Sequence, residues 1–265
     1  MRSNAFGAMP SESRSATSPS SATRLRTLAD GLLAVLIAPS CAGCGATLLE
    51  PTRGPVCTTC WNSISVFTPP LCDRCGDPLP SWRVISVAAA TCPRCRRRRS
   101  YVSRSRAIGP YEGSLRAIVH ALKYGGRRTL ARELGRRMRI EASDVLDGAS
   151  VVIPVPLHRR RRRARGFNQA ADLAAHLGLP VVAALRRVRA TTSQTDLPAA
   201  RRHANVRNAF ALRRQADVRG LCVVLVDDVA TTGATLDACA RVLVEAGARE
   251  VRALTAARVA SRPSE

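Results

Sequence analysis

The segment from Val223 to Thr235, VVLVDDVATTGAT, decides the fold of this chain. Its opening apolar residues predict a buried strand, and two acids, Asp227 and Asp228, follow at the carboxyl end of that strand. In an open α/β sheet the ligand crevice lies at the carboxyl ends of the strands. A loop of small and hydroxyl residues then opens a helix: Ala230, Thr231, Thr232, Gly233, Ala234 and Thr235.

This segment combines a helix start that attracts anions with two acids that repel them. A helix N-terminus with free N–H groups and small side chains is a cradle for phosphate, whereas adjacent acids repel phosphate. The acids are explained if they contact another part of the same ligand, and ribose hydroxyls are their natural partners. One ligand with a 5-phosphate and free vicinal hydroxyls would satisfy the whole segment. The alternative is that Asp227 and Asp228 bind Mg²⁺ or cap a helix, which leaves the threonine-rich loop unexplained.

Around this segment, helical and strand patterns alternate from about residue 104. Continuous apolar strands between helices predict an α/β domain with a parallel sheet that is covered on both faces. We assign residues 104–260 to this domain. The predicted helices span 114–124, 129–140, 168–177 and 233–246, and the predicted strands span 151–155, 180–183, 222–226 and 251–259.

Upstream, residues 41–100 contain four Cys-x-x-Cys pairs. Two thiolates at this spacing grip one metal ion from a tight turn, so two pairs complete a tetrahedral Cys₄ site. The repetition predicts two closed, structural zinc sites in a reducing cytoplasm, with an iron–sulfur cluster or disulfides as alternatives. Sequential and interleaved pairing both remain open. In the sequential pairing, the ligands are Cys41, Cys44, Cys57 and Cys60 for one site and Cys72, Cys75, Cys92 and Cys95 for the other.

The composition is strongly basic. The 265 residues include 42 Lys and Arg against 19 Asp and Glu, a formal net charge of +23, and Lys123 is the sole lysine. The 46% hydrophobic content excludes a chain that is disordered throughout, and no apolar run reaches the roughly 18 residues of a membrane span. This charge attracts nucleic acid, nucleotides or anionic lipid. The runs Arg96–Arg99 and Arg159–Arg163 are either phosphate contacts or solvated surface.

The N-terminal region divides into two parts. Residues 1–23 are rich in Ser, Ala, Thr and Pro without apolar periodicity, and we expect them to be disordered. Residues 24–40 predict an amphipathic helix that docks on the domain through a leucine stripe. A targeting peptide is the alternative, and the interrupting Asp30 argues against it. The stripe consists of Leu25, Leu28, Leu32, Leu33 and Leu36.

The 223–235 segment resembles the phosphoribosyl pyrophosphate (PRPP) signature of type I phosphoribosyltransferases over its whole length. Together with the cysteine pairs, LKYGG at 122–126 and PVPLHRRRRRARGFNQA at 154–170, it is similar to the ComF family of competence-associated proteins. The resemblance covers roughly residues 25–260. It implies a small double zinc ribbon followed by a Rossmann-like, parallel-sheet phosphoribosyltransferase domain, with a link to DNA uptake in natural transformation.

The resemblance also implies roles for individual residues. Asp227, Asp228 and Lys123 would be the catalytic residues: the acids bind the ribose hydroxyls, and the lysine meets pyrophosphate. The loop 230–235 would bind the 5-phosphate, and Mg²⁺ would arrive with PRPP. The segment 158–169 would be a flexible basic flap over the crevice. Its candidate ligand contacts are Arg165, Asn168 and Gln169.

Two hypotheses about function follow. The first is a phosphoribosyltransferase, a glycosyltransferase that releases pyrophosphate from PRPP, with an unidentified acceptor. The second is a non-catalytic nucleic-acid-binding protein that uses the same domain as a sensor of PRPP or a nucleotide. The expected partners are PRPP or ribose 5-phosphate, single-stranded DNA and proteins of the DNA-uptake machinery, and no membrane span is expected.

Overall fold

A computed structural model describes residues 21–79, 90–189, 206 and 208–259. The described helices are α1 (Ser21–Ile37), α2 (Thr58–Asn62), α3 (Pro93–Arg97), α4 (Gly113–Tyr124), α5 (Leu130–Glu141), α6 (Ser143–Leu146), α7 (Arg159–Arg165), α8 (Gln169–Ala174) and α9 (Ala234–Glu245). The described strands are β1 (Ser105–Pro110), β2 (Val151–Pro154), β3 (Leu185–Arg187), β4 (Phe210–Leu212), β5 (Cys222–Ala230) and β6 (Glu250–Arg258).

The main sheet is parallel and has the strand order β1-β6-β5-β2. In its register, Asp227 of β5 pairs with Thr255 of β6, and Val226 pairs with Pro154 of β2. Strands β3 and β4 form a separate antiparallel pair. The parallel α/β architecture predicted from the sequence is therefore confirmed, with β5 in the interior of the sheet and its acids at the carboxyl edge.

Alternate residues of β5 contribute to two hydrophobic cores. Val224 and Val226 pack with α4, α5 and α8 on one face, whereas Val223 and Leu225 pack with α9 on the other. A strand that is buried on both faces needs a continuous apolar run, which β5 has. Leu185 and Phe210 of the β3–β4 pair join the α9 side.

The cysteine-rich segment packs along the edge strand β1 and the helices beside it. The first ribbon, residues 41–60, shares the core of α4 and α5. The chain after it runs along β1, because the Phe67 N–H donates to the Ile108 carbonyl. The second ribbon comprises the described part of residues 72–95, and its Cys72 carbonyl accepts from the Arg106 guanidinium of β1.

Several sequence predictions differ from the structure. Strand β1 and the β3–β4 pair were not predicted, and residues 180–183 contribute a single bridge between Val152 and Val181 rather than a strand. The basic flap contains a helix, α7, because arginine favours helix and Gly166 ends it in a left-handed conformation. Helix α1 begins at Ser21, inside the segment expected to be disordered, and residues 1–20 lie outside the described part.

The expected docking of α1 through its leucines is wrong. Of the five leucines in the predicted stripe, Leu25, Leu28, Leu32 and Leu36 are each more than 60% exposed, and only Leu33 is partly buried. The helix rests instead on its polar side, where the buried Asp30 carboxylate accepts from the Thr52 backbone N–H at 2.8 Å. A buried carboxylate needs such a partner, and the turn between the cysteine pairs of the first ribbon supplies it.

Candidate functional site

The two acids of the signature segment lie within β5 and point to opposite faces of the sheet. The strand continues beyond them to Ala230, so side-chain alternation separates them. Asp228 faces α4, where one of its carboxylate oxygens lies 2.9 Å from the Lys123 ammonium nitrogen. Asp227 lies on the α9 side, within electrostatic reach of Arg187 and Cys239. A ligand at this edge can therefore meet one carboxylate from each face.

The Lys123–Asp228 ion pair is largely buried. The two side chains are 16% and 12% exposed. Burial alone would lower the pKa of Lys123, but the Asp228 carboxylate outweighs burial and raises that pKa. The ammonium group also lies 5.7 Å from the centre of the Tyr111 ring. The sole lysine of the chain is thus held as a cation beside one of the two acids.

Asp227 has a different environment. Burial, followed by the charge of Asp228, raises the pKa of Asp227 to about 7. The Asp228 backbone N–H donates to its carboxylate at 2.8 Å. Arg187 of β3 lies on the same side of the sheet, stacked 5.3 Å from the centre of the Phe210 ring, and its burial followed by the charge of Arg161 lowers the pKa of its guanidinium. Sequence reasoning missed Arg187, because nothing in its local sequence distinguishes it from the other arginines.

The loop after β5 makes a tight turn before α9 begins at Ala234. Gly233 adopts a left-handed conformation with φ of 76°, and the Ala234 N–H donates to the Thr232 hydroxyl at 3.4 Å. A Cβ atom added at Gly233 would meet no atom within 4 Å, so the space in front of this turn is open. An open turn that leads into the N-terminus of a 12-residue helix has the geometry of an anion cradle.

The basic segment reaches the α4 side of the site through Arg165. Its guanidinium lies 4.8 Å from the centre of the Tyr124 ring, next to Lys123. His158 accepts from the Arg160 backbone N–H, so it caps α7. Helix α7 therefore ends against the exposed Tyr124 ring at the C-terminal end of α4.

The other two flap candidates hold the start of α8. The Asn168 amide donates to the Val155 carbonyl, and its oxygen accepts from the Ala170 N–H. Gln169 is 1% exposed, and both polar atoms of its side chain are buried without a hydrogen-bond partner in the described structure. Such an orphaned amide is costly, and a bound ligand or water would satisfy it.

The second ribbon lies against the loop. A cavity of about 70 Å³ separates them, lined on the loop side by Thr232 and Gly233 and on the ribbon side by Arg74 and Cys95. Asp237 in the first turn of α9 accepts from the Ser100 hydroxyl at 2.7 Å and from the Tyr101 N–H at 2.8 Å. The segment after the arginine run is thus anchored to the helix that carries the loop.

The eight clustered cysteines form two groups, each with its sulfur atoms within 4.8 Å of one another. The Cys44–Cys57 and Cys75–Cys92 sulfur separations are 3.9 and 3.7 Å. Tetrahedral zinc with Zn–S bonds of about 2.3 Å places sulfurs about 3.8 Å apart, whereas a disulfide needs about 2.05 Å. The pairing is sequential: Cys41, Cys44, Cys57 and Cys60 form one group, and Cys72, Cys75, Cys92 and Cys95 form the other.

Backbone N–H groups support the thiolate form at both sites. The Gly43 and Cys57 N–H groups donate to the Cys41 sulfur, and the Cys92 N–H donates to the Cys72 sulfur. Burial opposes the charge on Cys41, but these N–H donors outweigh it and lower the pKa of Cys41 to about 6. Thiolate is the form that coordinates zinc, so both donor sets fit structural Zn²⁺.

Two further sequence expectations have different outcomes. Gln194, Arg201 and Asn205, in a further segment that resembles the family and is expected either to line the crevice or to shape a loop, lie outside the described residues. Among the described residues, every helix is too short or too polar to cross a membrane.

The fold and the site define a protein with a double zinc ribbon and a phosphoribosyltransferase domain. The family model for the double zinc ribbon domain matches residues 32–96, and the model for the phosphoribosyl transferase domain matches residues 163–265. Among solved structures, the allosteric regulatory enzyme of purine biosynthesis aligns with 48% of this chain and 26% of its own, at 27% identity and a TM-score of 0.32.

Sequence identity to two relatives assigns the chain to a family within this class of proteins. The DNA utilization protein YhgH of Salmonella typhimurium is 33% identical over 207 residues, which cover 74% of this chain and 87% of the relative. Competence protein F of Haemophilus influenzae is 30% identical over 225 residues, which cover 80% of this chain and 93% of the relative. The chain belongs to the competence protein F (ComF) family.

Proposed function

We propose that this protein binds PRPP together with Mg²⁺ at the carboxyl edge of the sheet, in the service of DNA uptake or DNA use. The observation that carries the proposal is the 2.9 Å Lys123–Asp228 ion pair. Its Asp228 lies five residues before the open turn at Gly233. The pair supports the proposal because a cation that can hold pyrophosphate and a carboxylate that can accept from ribose hydroxyls precede a turn open enough for phosphate. The printed names of the relatives support the link to DNA.

Ligand binding would exchange the partners of the ion pair. The ribose hydroxyls donate to Asp228 and Asp227, and the pyrophosphate takes over the Lys123 ammonium. The loop 230–235 receives the 5-phosphate through backbone N–H groups, and Arg165 adds positive charge from the end of α7. Because Lys123 and Asp228 are largely buried, each keeps a charged or hydrogen-bonding partner in both states.

Mg²⁺ would enter with the ligand. Among the described residues, the clusters of metal-ligating side chains are the two cysteine groups, and no cluster of carboxylates is preformed for Mg²⁺. A hard cation of this kind is held mainly by phosphate oxygens and water. Asp227 is the acid at this edge that is not in the lysine pair, so it can contact the hydrated ion or a ribose hydroxyl.

The reaction proposed for this site is phosphoribosyl transfer. The bond between ribose C1 and the pyrophosphate oxygen breaks, pyrophosphate leaves with the electron pair, and the acceptor forms the new bond to C1. Positive charge builds on the ribose ring, and Asp227 and Asp228 stabilise it electrostatically. The acceptor is not identified by any residue described here. The spacing of the cysteine sulfurs, which suits a metal and not disulfides, supports a cytoplasmic location, where thiols stay reduced.

A second function is favoured by the surface of α7. Four of its arginines, Arg159, Arg160, Arg162 and Arg163, are exposed on one short helix, and Arg165 at its end contacts Tyr124 of α4. Such a surface suits sequence-independent contact with single-stranded DNA. In this alternative the domain senses PRPP or a nucleotide and catalyses nothing, and proteins of the DNA-uptake machinery are its partners.

Calorimetric titration of the purified protein tests ligand binding. We expect PRPP to bind only with Mg²⁺ present, and ribose 5-phosphate to bind more weakly. Asp228→Asn should weaken PRPP binding roughly 10- to 150-fold, because a charge-assisted hydrogen bond contributes about 1.5–3 kcal/mol. Gly233→Val should abolish binding, because the side chain enters the open turn. Asp217→Asn, which removes an exposed acid paired with Arg219, is the control and should bind as the wild type does.

Failure of wild-type protein to bind either ligand at millimolar concentration would overturn the proposal. Release of pyrophosphate during incubation with PRPP and candidate acceptors then separates the two functions. Release that depends on an acceptor and is lost in Asp228→Asn supports the transferase. Tight binding of PRPP without release supports the sensor.

A further inference from the structure

Four of the five leucines in the apolar stripe of α1, all except the partly buried Leu33, pack against no other described residue. Six large apolar side chains of this helix are between 61% and 84% exposed. Leu25, Leu28, Leu32 and Leu36 recur about once per turn, so they form one continuous face about 16 Å long on a helix about 25 Å long. An exposed apolar face of this size on a globular protein marks a binding surface.

The orientation of α1 is fixed from its other side. The Asp30 carboxylate accepts from the Thr52 backbone N–H, and the Arg26 guanidinium donates to the Thr52 hydroxyl at 3.2 Å. Both contacts go to the short turn Pro51–Arg53 of the first ribbon. The helix is therefore held with its polar side inward, and the stripe is presented outward.

The net charge of the chain distinguishes between two possible partners for the stripe, a second copy of the chain and a lipid bilayer. The whole chain carries a formal net charge of +23, so two copies repel each other, whereas a bilayer of anionic lipid attracts the protein. A 17-residue helix interrupted by Asp30 does not suit a membrane span, but it suits a helix that lies in the interface with its apolar face among the lipids.

We propose that α1 docks the protein on the surface of an anionic bilayer, with Leu25, Leu28, Leu32 and Leu36 inserted at the boundary between headgroups and acyl chains. Val35 and Ile37, 84% and 67% exposed, extend the inserted face at the C-terminal end. The arginine-rich surface supplies long-range attraction, and the leucines supply attachment that salt does not screen.

Cosedimentation with vesicles tests this docking. The probes are vesicles of pure phosphatidylcholine and vesicles of equal parts phosphatidylcholine and phosphatidylglycerol, with the full-length protein. We expect binding to the anionic vesicles and at least tenfold weaker binding to the neutral ones. Leu28→Ser combined with Leu32→Ser should weaken binding to anionic vesicles by roughly tenfold or more, because it removes two inserted apolar side chains.

The matched control combines Ile140→Ser with Val244→Ser, which removes two exposed apolar side chains from α5 and α9. It should bind anionic vesicles as the wild type does. Zinc content and thermal unfolding check that each variant folds, and Val35→Ser with Leu36→Ser replaces the first pair if that pair does not.

Three results would overturn the proposal. The first is that the wild-type protein does not bind anionic vesicles. The second is equal binding by the wild type and the leucine variant, which would mean that arginines alone carry the adsorption. The third is a wild-type dimer, seen by light scattering, that the leucine substitutions dissociate, because a second copy would then cover the stripe.

Discussion

At the scale of single residues, the adjacent acids of the signature segment play opposite parts in stability. Asp228 is paired with Lys123, whereas Asp227 is partly buried beside another carboxylate and its pKa is raised to about 7. A raised carboxyl pKa means that the folded state holds a proton that the unfolded state releases at about pH 3.9. Stability therefore falls as the pH rises from about 4 to about 7, and Asp227 remains a source of strain above that range.

Replacing each acid by its amide should shift stability in opposite directions. Asp227→Asn should stabilise the protein by on the order of 1–3 kcal/mol at pH 8, and by less at pH 5.5, because the amide carries no charge to bury. Asp228→Asn should destabilise it by about 3 kcal/mol, since Lys123 is left buried without its carboxylate. Urea unfolding at both pH values measures the difference. Equal effects of the two substitutions would contradict the separate environments.

At the scale of elements, the edge strand β1 joins the sheet to the zinc-binding segment. A Cβ atom placed on Gly109 would lie 1.9 Å from the Ser65 carbonyl oxygen, so a glycine is required where residues after the first ribbon run along β1. This contact is backbone against backbone, and no side-chain rotation can relieve it. The segment that follows the first ribbon can therefore pack on β1 only because Gly109 has no Cβ atom.

Gly109→Ala should therefore destabilise the protein by at least about 2 kcal/mol, because overpacking forces the two backbones apart. Thermal or urea unfolding measures the effect. Gly31→Ala in α1 is the matched control: its new methyl group would meet no atom within 4 Å, and alanine favours helix by about 1 kcal/mol. If both substitutions behave alike, the segment 63–67 does not pack on β1 as described.

Helix α7 allows a second test at this scale. Arg160→Gln with Arg163→Gln should weaken binding of single-stranded DNA and lower the slope of log affinity against log salt by about 1.4, or about 0.7 for each lost phosphate contact. Fluorescence anisotropy across a salt series measures this slope. Arg116→Gln with Arg214→Gln, two exposed arginines elsewhere, should leave the slope near the wild-type value. The same slope for all three proteins would exclude α7 from the interface.

At the scale of the whole molecule, the first zinc ribbon shares a hydrophobic core with the α/β domain, and the second ribbon contacts the same domain. Cys60, Val56 and Ile64 belong to the same hydrophobic core as Leu115 and Leu122 of α4. The second ribbon contacts β1 through Gly76, and Arg98, three residues after the ribbon, pairs with Asp237 at the start of α9. A separate metal-dependent module would have its own core, so loss of zinc here should reach beyond the cysteines.

The purified protein should carry about two Zn²⁺ per chain, and chelation should loosen β1 and α4 together with the ribbons. Elemental analysis gives the stoichiometry, and hydrogen exchange measures protection of each element. Strands β3 and β4, whose Leu185 and Phe210 belong to the other hydrophobic core, serve as the internal control and should keep more protection. Zinc near zero, or unchanged protection of β1 and α4 after chelation, would contradict this coupling.

The sequence by itself determined what short-range patterns encode. Four repeated Cys-x-x-Cys pairs indicated two metal sites, because a tight turn fixes two ligands locally. The apolar run before Asp227 indicated a buried parallel strand, and the loop up to Thr235 indicated a helix start with a cradle, since both depend on neighbours in the chain. These patterns also located the candidate site at the carboxyl edge of that strand.

Only the tertiary structure decided which distant groups meet. Asp228 and Lys123 are 105 residues apart in the chain, and Arg187 reaches the Asp227 side from β3, so no local pattern could pair them. The leucine periodicity of α1 predicted an apolar face correctly but not its direction. That direction was decided by the bond between Asp30 and Thr52, because periodicity shows which side chains share a face and not what that face contacts.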